Sequence, residues 1–444
     1  MKRLAAFAPW YAAFLGIGIT LLLFYPGYMS WDSAYQWWQA RHARYDPVHP
    51  PLMSMIWSVC NKLWRGPGGM FALQIVLIWT AFAAFATRFE RPHWQKFLLV
   101  LLLGFWPPLF ALSLHIWKDL WTMLAFAWAV AFLAMELKNP SRKFRIAALI
   151  AIAAACAFRH NALSGALPFL FWIAHRENFG GASGHSFIRT SAATVLLTIA
   201  VLCVSKIPNL DPRVKHTDAI WSVVTLWDAS AVSLEENRLV IPSELKDDTL
   251  SLQDLKQHIR DYTNTTVFES GKLKHSFDGP YTPEQKKALA RLAWSLPIDH
   301  GKAYFKHRLR LAELLYGLDQ KGLPDGQVLM PGRVEYGDNP PVNSKASPYE
   351  QRVLGKLQSW IDTPVFAGWI YLGIALLLSA GIFIRKKQAP AGLAIAVAVS
   401  SLAYALPLAL VSGSAEFRYL AWPVLACLMS LALMFSAWRQ AKTR

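Results

Sequence analysis

Apolar residues in this chain gather into long continuous runs, not the alternating or three-and-four spacing of elements with one wet face. Ten runs approach the length of a bilayer crossing, at roughly 5–26, 70–88, 96–115, 118–137, 144–159, 161–176, 188–206, 364–384, 390–411 and 417–438. They predict an all-α polytopic membrane protein with about ten transmembrane helices. The first run follows Met1-Lys2-Arg3 but has no small-residue cleavage site after it, so it reads as an uncleaved span. Those at 144–159 and 161–176 are short for a crossing. A further apolar stretch, 50–64, is shorter still and opens on Pro50 and Pro51.

Between the seventh and eighth runs the pattern changes. Residues 207–362 mix turn-rich stretches, such as "KGLPDGQVLMPGRVEYGDNPPVNSKASP", with helical patterns at "TPEQKKALARLAWSLP" and "DHGKAYFKHRLRLAELLYGL". In the latter, Tyr304, Leu311, Leu314 and Leu315 form one apolar face. The chain therefore divides into a membrane module over 1–206, a mostly α-helical domain over 207–362 inserted before the last three spans, and a membrane segment over 363–444.

Composition agrees: 54% of residues are hydrophobic, and the 20 tryptophans suit a protein with interfacial belts. Cys60, Cys156, Cys203 and Cys427 lie scattered in apolar segments, with neither a disulfide framework nor zinc spacing. The net charge of +17 is unevenly spread, since residues 207–362 hold 20 basic and 21 acidic side chains while the rest holds 25 and 7. Basic residues flanking membrane spans act as topology signals, so the excess is not a nucleic-acid footprint.

Charge also orients the chain. With 50–64 placed at the interface and not across the bilayer, one side receives Lys2/Arg3, Arg88/Arg91/Lys96, Lys138/Arg142/Lys143/Arg145, Arg176/Arg189, Arg385/Lys386/Lys387 and Arg439/Lys442/Arg444. That is 17 of the 25 basic residues, and the positive-inside rule makes this side cytoplasmic. Both termini are then expected in the cytoplasm, with 207–362 on the extracytoplasmic side.

Under this topology Glu90, Glu136 and Glu177 fall among cytoplasmic basic residues, where solvated pairing accounts for them. Asp32, Asp46, Asp119 and Glu416 all fall at the opposite edge. A charge at mid-membrane costs about 2.5–3.5 kcal/mol on insertion scales, so acids near the hydrocarbon are retained for pairing or for a site. Basic partners lie close in sequence, in "HIWKDL" (Lys118, Asp119), "FRHN" (Arg159, His160, Asn161) and "AEFRYL" (Glu416, Arg418, Tyr419). A carboxylate can take a proton from an attacking hydroxyl while cations stabilise charge on a departing phosphate. Each member also has an ordinary structural use. Ser30 and Asp32 read as an N-cap and first-turn acid, Asp46 as a turn residue before proline, Lys118 and Asp119 as a hairpin ion pair, and Arg159 and Arg418 as snorkelling anchors.

The opening loop carries a resemblance. A first span, an outer loop with an early acid, and then Asp46-Pro47-Val48-His49-Pro50-Pro51-Leu52 resemble the GT-C superfamily of membrane glycosyltransferases, in particular protein O-mannosyltransferases, the aminoarabinose transferases of lipid A and bacterial glucosyltransferase-like membrane proteins. The motif likeness covers about residues 20–60. It implies a catalytic first outer loop, here 27–69, with Asp32 and Asp46 as the catalytic acids. It further implies that His49, Lys118, Asp119, Arg159, His160, Asn161, Glu416, Arg418 and Tyr419 bind substrate or carrier phosphate. The implied reaction is inverting transfer of a sugar from a polyprenyl-phosphate carrier to a lipid or cell-surface glycan, such as lipopolysaccharide. No cofactor is required by that chemistry, although outer-loop acids bind a divalent metal in some members. The Asp32-Ser33 pair departs from the Asp-Glu of protein mannosyltransferases, which puts protein acceptors in doubt.

Two other classes fit part of the pattern. A transporter or flippase of an anionic lipid or solute would use proline-broken helices such as "GFWPPLF" (Gly104 to Phe110). A non-catalytic assembly factor would use only the 207–362 domain.

Overall fold

The computed structural model describes residues 7–442 except 47, 178–184, 216–218, 276–278, 343–345 and 382–388. Pro47 and the basic residues Lys2, Arg3, Arg385, Lys386, Lys387 and Arg444 therefore lie outside the described residues. Helices dominate, and extended pairing among the described residues is limited to isolated bridges.

The apolar runs fold as α1 (Ala8–Phe24), α4 (Gly68–Thr87), α5 (His93–Gly104), α6 (Pro107–Ser113), α7 (Lys118–Lys138), α8 (Arg142–Phe158), α9 (Ala162–Glu177), α10 (His185–Ser205), α16 (Gly368–Ser379), α17 (Ala389–Ala405), α18 (Leu408–Val411) and α19 (Ala421–Lys442). Two helices, α2 (Trp31–His42) and α3 (Leu52–Leu63), fill the first loop. Among the described residues, five helical stretches are long and apolar enough to cross a membrane: Gly68–Thr87, Lys118–Lys138, Phe187–Ser205, Pro390–Val411 and Phe417–Gln440.

The other runs differ from ten plain spans for local reasons. The run at 96–115 is split into α5 and α6, which meet at 61°. Pro107 and Pro108 disfavour helix in the residue before them, and Trp106 is accordingly extended (φ −59°, ψ 121°). Counted as one broken span, this pair raises the number to six. Helices α1 and α8 have 17 described residues each and α9 has 16, about 25 Å of helix against a hydrocarbon core of about 30 Å. Helix α16 has 12 residues and ends shortly before the undescribed 382–388. The stretch 50–64 forms a helix of only 12 residues in α3, about 18 Å long and too short to cross.

Helices α7 and α19 are the inner members: 78% of the apolar window of each is buried, against 11% for α10. Helix α7 packs on α4, α8, α17 and α19. Its central place matters because Lys118 and Asp119 form its first turn, while Arg418 and Tyr419 stand in the 3₁₀ turn Phe417–Leu420 leading into α19. At the other end of α7, Glu136 is buried and paired with Arg145, so its pairing is as expected but its solvation is not.

Residues 207–362 contain α11 (Ser222–Glu235), α12 (Leu252–His258), α13 (Pro283–Asp299), α14 (Gly301–Leu315) and α15 (Pro348–Gln358), joined by long loops as the turn-rich pattern predicts. Helices α13 and α14 fall on the two expected segments, and a capping box between Thr282 and Gln285 starts α13. Leu311, Leu314 and Leu315 are buried. This insert is also bonded into the loops that carry the acids. Met29 N–H donates to the Gly332 carbonyl (2.9 Å) and Val334 N–H to that of Met29 (3.0 Å). Asn264 N–H donates to the carbonyl of Gly413 (2.9 Å), and Ala415 N–H to that of Tyr262 (2.8 Å).

Candidate active site

Asp32 reaches its place because the chain after α1 is held on both sides. Tyr28 N–H donates to the Leu114 carbonyl (2.9 Å) and Ile116 N–H donates to that of Tyr28 (3.0 Å), while Met29 pairs with the insert. Helix α2 then begins with Asp32 in its first turn, where a carboxylate is favoured by the helix dipole. Ser30 occupies the N-cap position but makes no cap hydrogen bond. Its Oγ instead accepts from Trp117 Nε1 (2.8 Å), tying the start of α2 to the residue before α7.

Residues of the "KD", "FRHN" and "EFRY" clusters, remote in sequence, meet at that carboxylate or through the ion pairs next to it. Arg418 Nη2 donates to Asp32 Oδ2 (2.7 Å), and Lys118 Nζ lies 3.5 Å from the same oxygen. His49 Nε2 lies 3.5 Å from Oδ1. The Nε of Arg418 faces Glu416 Oε2 (2.6 Å) and Asp119 Oδ2 (3.8 Å). Asp119 is also paired with Arg159, whose Nε donates to Asn161 Oδ1 (2.7 Å). Rings complete the packing: the Arg159 guanidinium sits 4.2 Å from the Tyr419 ring centroid, and that of Arg418 5.1 Å from Trp117. Three carboxylates and three fixed cations thus share one network.

Exposure separates the acids. The Asp32 side chain is 21% exposed, that of Glu416 11% and that of Asp119 1%. Asp119 is paired with Arg159 and Arg418, and Asp32 is the most exposed of the three carboxylates. Burial alone would raise the Asp32 carboxyl, but Arg418, then Lys118 and His49, hold it well below the usual carboxylate range. Burial, followed by the charge of Lys118, pushes His49 the other way, below the ordinary imidazole value of 6.5, although Asp32 favours its protonation. His49 is therefore neutral near pH 7, and the two cations carry the stabilisation of Asp32. Arg418 Nη1 and Asn161 Nδ2 are buried without a hydrogen-bond partner among the described residues. Unused donors beside fixed cations fit an anionic oxygen better than another cation. No group of three or more His, Cys, Asp or Glu side chains placed to hold a metal ion occurs among the described residues.

Not every expected residue joins this network. Asp46 is engaged in its own loop: Tyr35 Oη donates to it, Gln39 Nε2 donates to Oδ2 (2.9 Å), and Val48 N–H donates to Oδ1 (3.1 Å) in an Asx turn. The same Gln39 accepts from Ser54 Oγ (2.9 Å), so Asp46 fastens α2 to α3. His160 lies next to Arg159 but is exposed. Trp117 and Ser414 belong to the site without having been singled out. Ser414 Oγ donates to Glu416 Oε1 (2.7 Å) and lies 2.8 Å from Tyr419 Oη. Their positions directly before Lys118 and just before Glu416 were the available signal.

Compared with known protein families, curated proteins and solved structures, the chain matches none.

Proposed function

We propose that this chain is an integral membrane glycosyltransferase that moves a sugar from a polyprenyl-phosphate carrier to a lipid or cell-surface glycan, with Asp32 as general base. The topology that goes with this reading has ten membrane segments, cytoplasmic termini, and the insert and the Asp32 network on the outer face of a bacterial inner membrane. The observation that carries it is the sharing of Asp32 Oδ2 by Arg418 and Lys118, a partly exposed carboxylate beside two cations, which supports a base next to a phosphate-binding pair.

The chemistry follows from that arrangement. The acceptor oxygen bonds to the anomeric carbon as its proton passes to Asp32, and the bond from that carbon to the carrier oxygen breaks on the opposite face. The electron pair leaves on the phosphate, which Arg418, Lys118 and the unused Arg418 Nη1 are placed to stabilise. Before the donor binds, the same cations suppress the basicity of Asp32. A bound phosphate shares their charge and raises it again, so the base strengthens when the leaving group is in place.

One observation favours a transporter or flippase instead, the 61° break between α5 and α6. Phe105, Phe110 and Trp79 pack at that break, and the Trp106 Nε1 donor there is already taken by Tyr371 Oη (2.8 Å), so these groups offer an anionic solute nothing to hold. Reconstituted protein supplied with a polyprenyl-phosphate sugar and an envelope lipid extract separates the readings. Release of carrier phosphate with a new glycolipid, lost in Asp32→Asn, is the expected result. Carrier movement across the bilayer without bond cleavage would establish the transporter, and full transfer by Asp32→Asn would remove Asp32 as the base.

A further inference from the structure

A second group of cations stands on the other side of α2. Positions 37 and 41 follow Asp32 by five and nine residues, which at about 100° per residue turns them roughly 140–180° away from it. There, Trp37 and Arg41 line a cavity of about 810 Å³ together with Asn61, Lys62, Arg65 and Arg213. The volume lies within the range of small-molecule sites, about 300–1,000 Å³.

Among the described residues its lining has four cations and no carboxylate. Arg41 and Arg213 are each balanced from outside the cavity, by Asp338 (3.4 Å) and Asp211 (2.6 Å). Lys62 and Arg65 are exposed and have no acidic partner within ion-pair distance among the described residues. Asn61 accepts from Trp37 Nε1 at 3.3 Å, while its own Nδ2 is buried without a partner among the described residues. An amide donor, two unbalanced cations and no acid make the cavity complementary to an anion. The source of the anion follows from the same turn of chain, where Leu63 and Trp64 are 86% and 55% exposed. Apolar side chains bare to this degree beside lysine and arginine are the pattern of a segment seated at a lipid surface, apolar groups inward and cations at the phosphates.

We propose that this cavity binds a phosphate-bearing lipid headgroup, at a site separate from the Asp32 network. Native mass spectrometry of the full chain, released from nanodiscs of phosphatidylcholine with or without phosphatidylglycerol, tests it. Wild type is expected to retain phosphatidylglycerol, and Lys62→Ala/Arg65→Ala to lose about tenfold or more in retention. Asn61→Asp, which places a carboxylate in the cavity, is expected to abolish it. Asp32→Asn is expected to bind like wild type, so failure of the glycosyltransferase reading leaves this result untouched. Displacement by millimolar inorganic phosphate would assign the cavity to phosphate itself, whereas resistance to it would assign the lipid as a whole. Equal retention by wild type and Lys62→Ala/Arg65→Ala overturns the proposal.

Discussion

Arg418 donates from Nη2 to Asp32 Oδ2 at 2.7 Å, joining residues 386 positions apart in the chain. The same guanidinium turns Nε toward Glu416 and Asp119, so one planar group orients three carboxylates. A lysine keeps the charge but is a point donor on a flexible stem and cannot span them. Arg418→Lys is therefore expected to fold and to lose at least about 10²-fold in transfer rate, as positioned electrostatic groups commonly do. Steady-state transfer with donor concentration varied checks this, and an unchanged rate would remove Arg418 from the site.

Arg308, in α14 of the insert, reaches the loop before Glu416. Its Nη1 donates to the Ser412 carbonyl at 2.7 Å, and its Nη2 pairs with buried Asp228. Replacing it with leucine leaves Asp228 without its guanidinium, a change worth about 3–5 kcal/mol when a buried pair is broken. Arg308→Leu is expected to lower the melting temperature in detergent, and Asp228→Asn added to it should recover part of the loss. Full additivity of the two would show that the pair is not coupled.

The sequence made the acids legible because charges are rare in apolar surroundings: Lys118 and Arg418 pair with Asp32, Asp119 and Glu416 join through Arg418, and Arg159 through Asp119. Span number was less legible. Hydropathy registers composition, whereas helix length depends on where hydrogen bonding stops, as at Phe105-Trp106 and at extended Arg159. The turn made by Asp46 was legible in the proline after it, but its partners Tyr35 and Gln39 were not, because they come from the preceding helix and only the fold shows them filling its oxygens. Likewise the backbone pairing of Met29 with Gly332 and Val334 has no hydropathy signature, so the insert read as a separate domain.

Trp79 in α4 lies between Gly16 of α1 and Gly104 of α5, and a Cβ at either glycine would overlap its ring. The contact fixes how closely these three helices pack. Gly104→Ala is expected to destabilise by about 1–3 kcal/mol through overpacking. Trp79→Phe in the same chain, by shrinking the ring, should restore part of the thermal stability. A Gly104→Ala protein as stable as wild type would mean that the ring shifts freely.

His49 sets the expected pH dependence. Its buried imidazole protonates below the ordinary value of 6.5, while the unfolded chain protonates near it. Between those two values the unfolded state binds more protons, so the stability contributed by neutral His49 is complete above about 6.5 and is lost as pH falls through the lowered folded value. Asp32 stays ionised throughout this window, because its carboxyl is held well below the usual range. Melting temperature is thus expected to decline as pH falls below about 6.5. The transfer rate of the folded protein declines only at the lower pH where folded His49 itself protonates, so that its acid limb follows His49 and not Asp32. His49→Gln, which keeps a polar group but cannot titrate, should flatten the melting-temperature slope over that range. The same slope in wild type and His49→Gln would place the titrating group elsewhere.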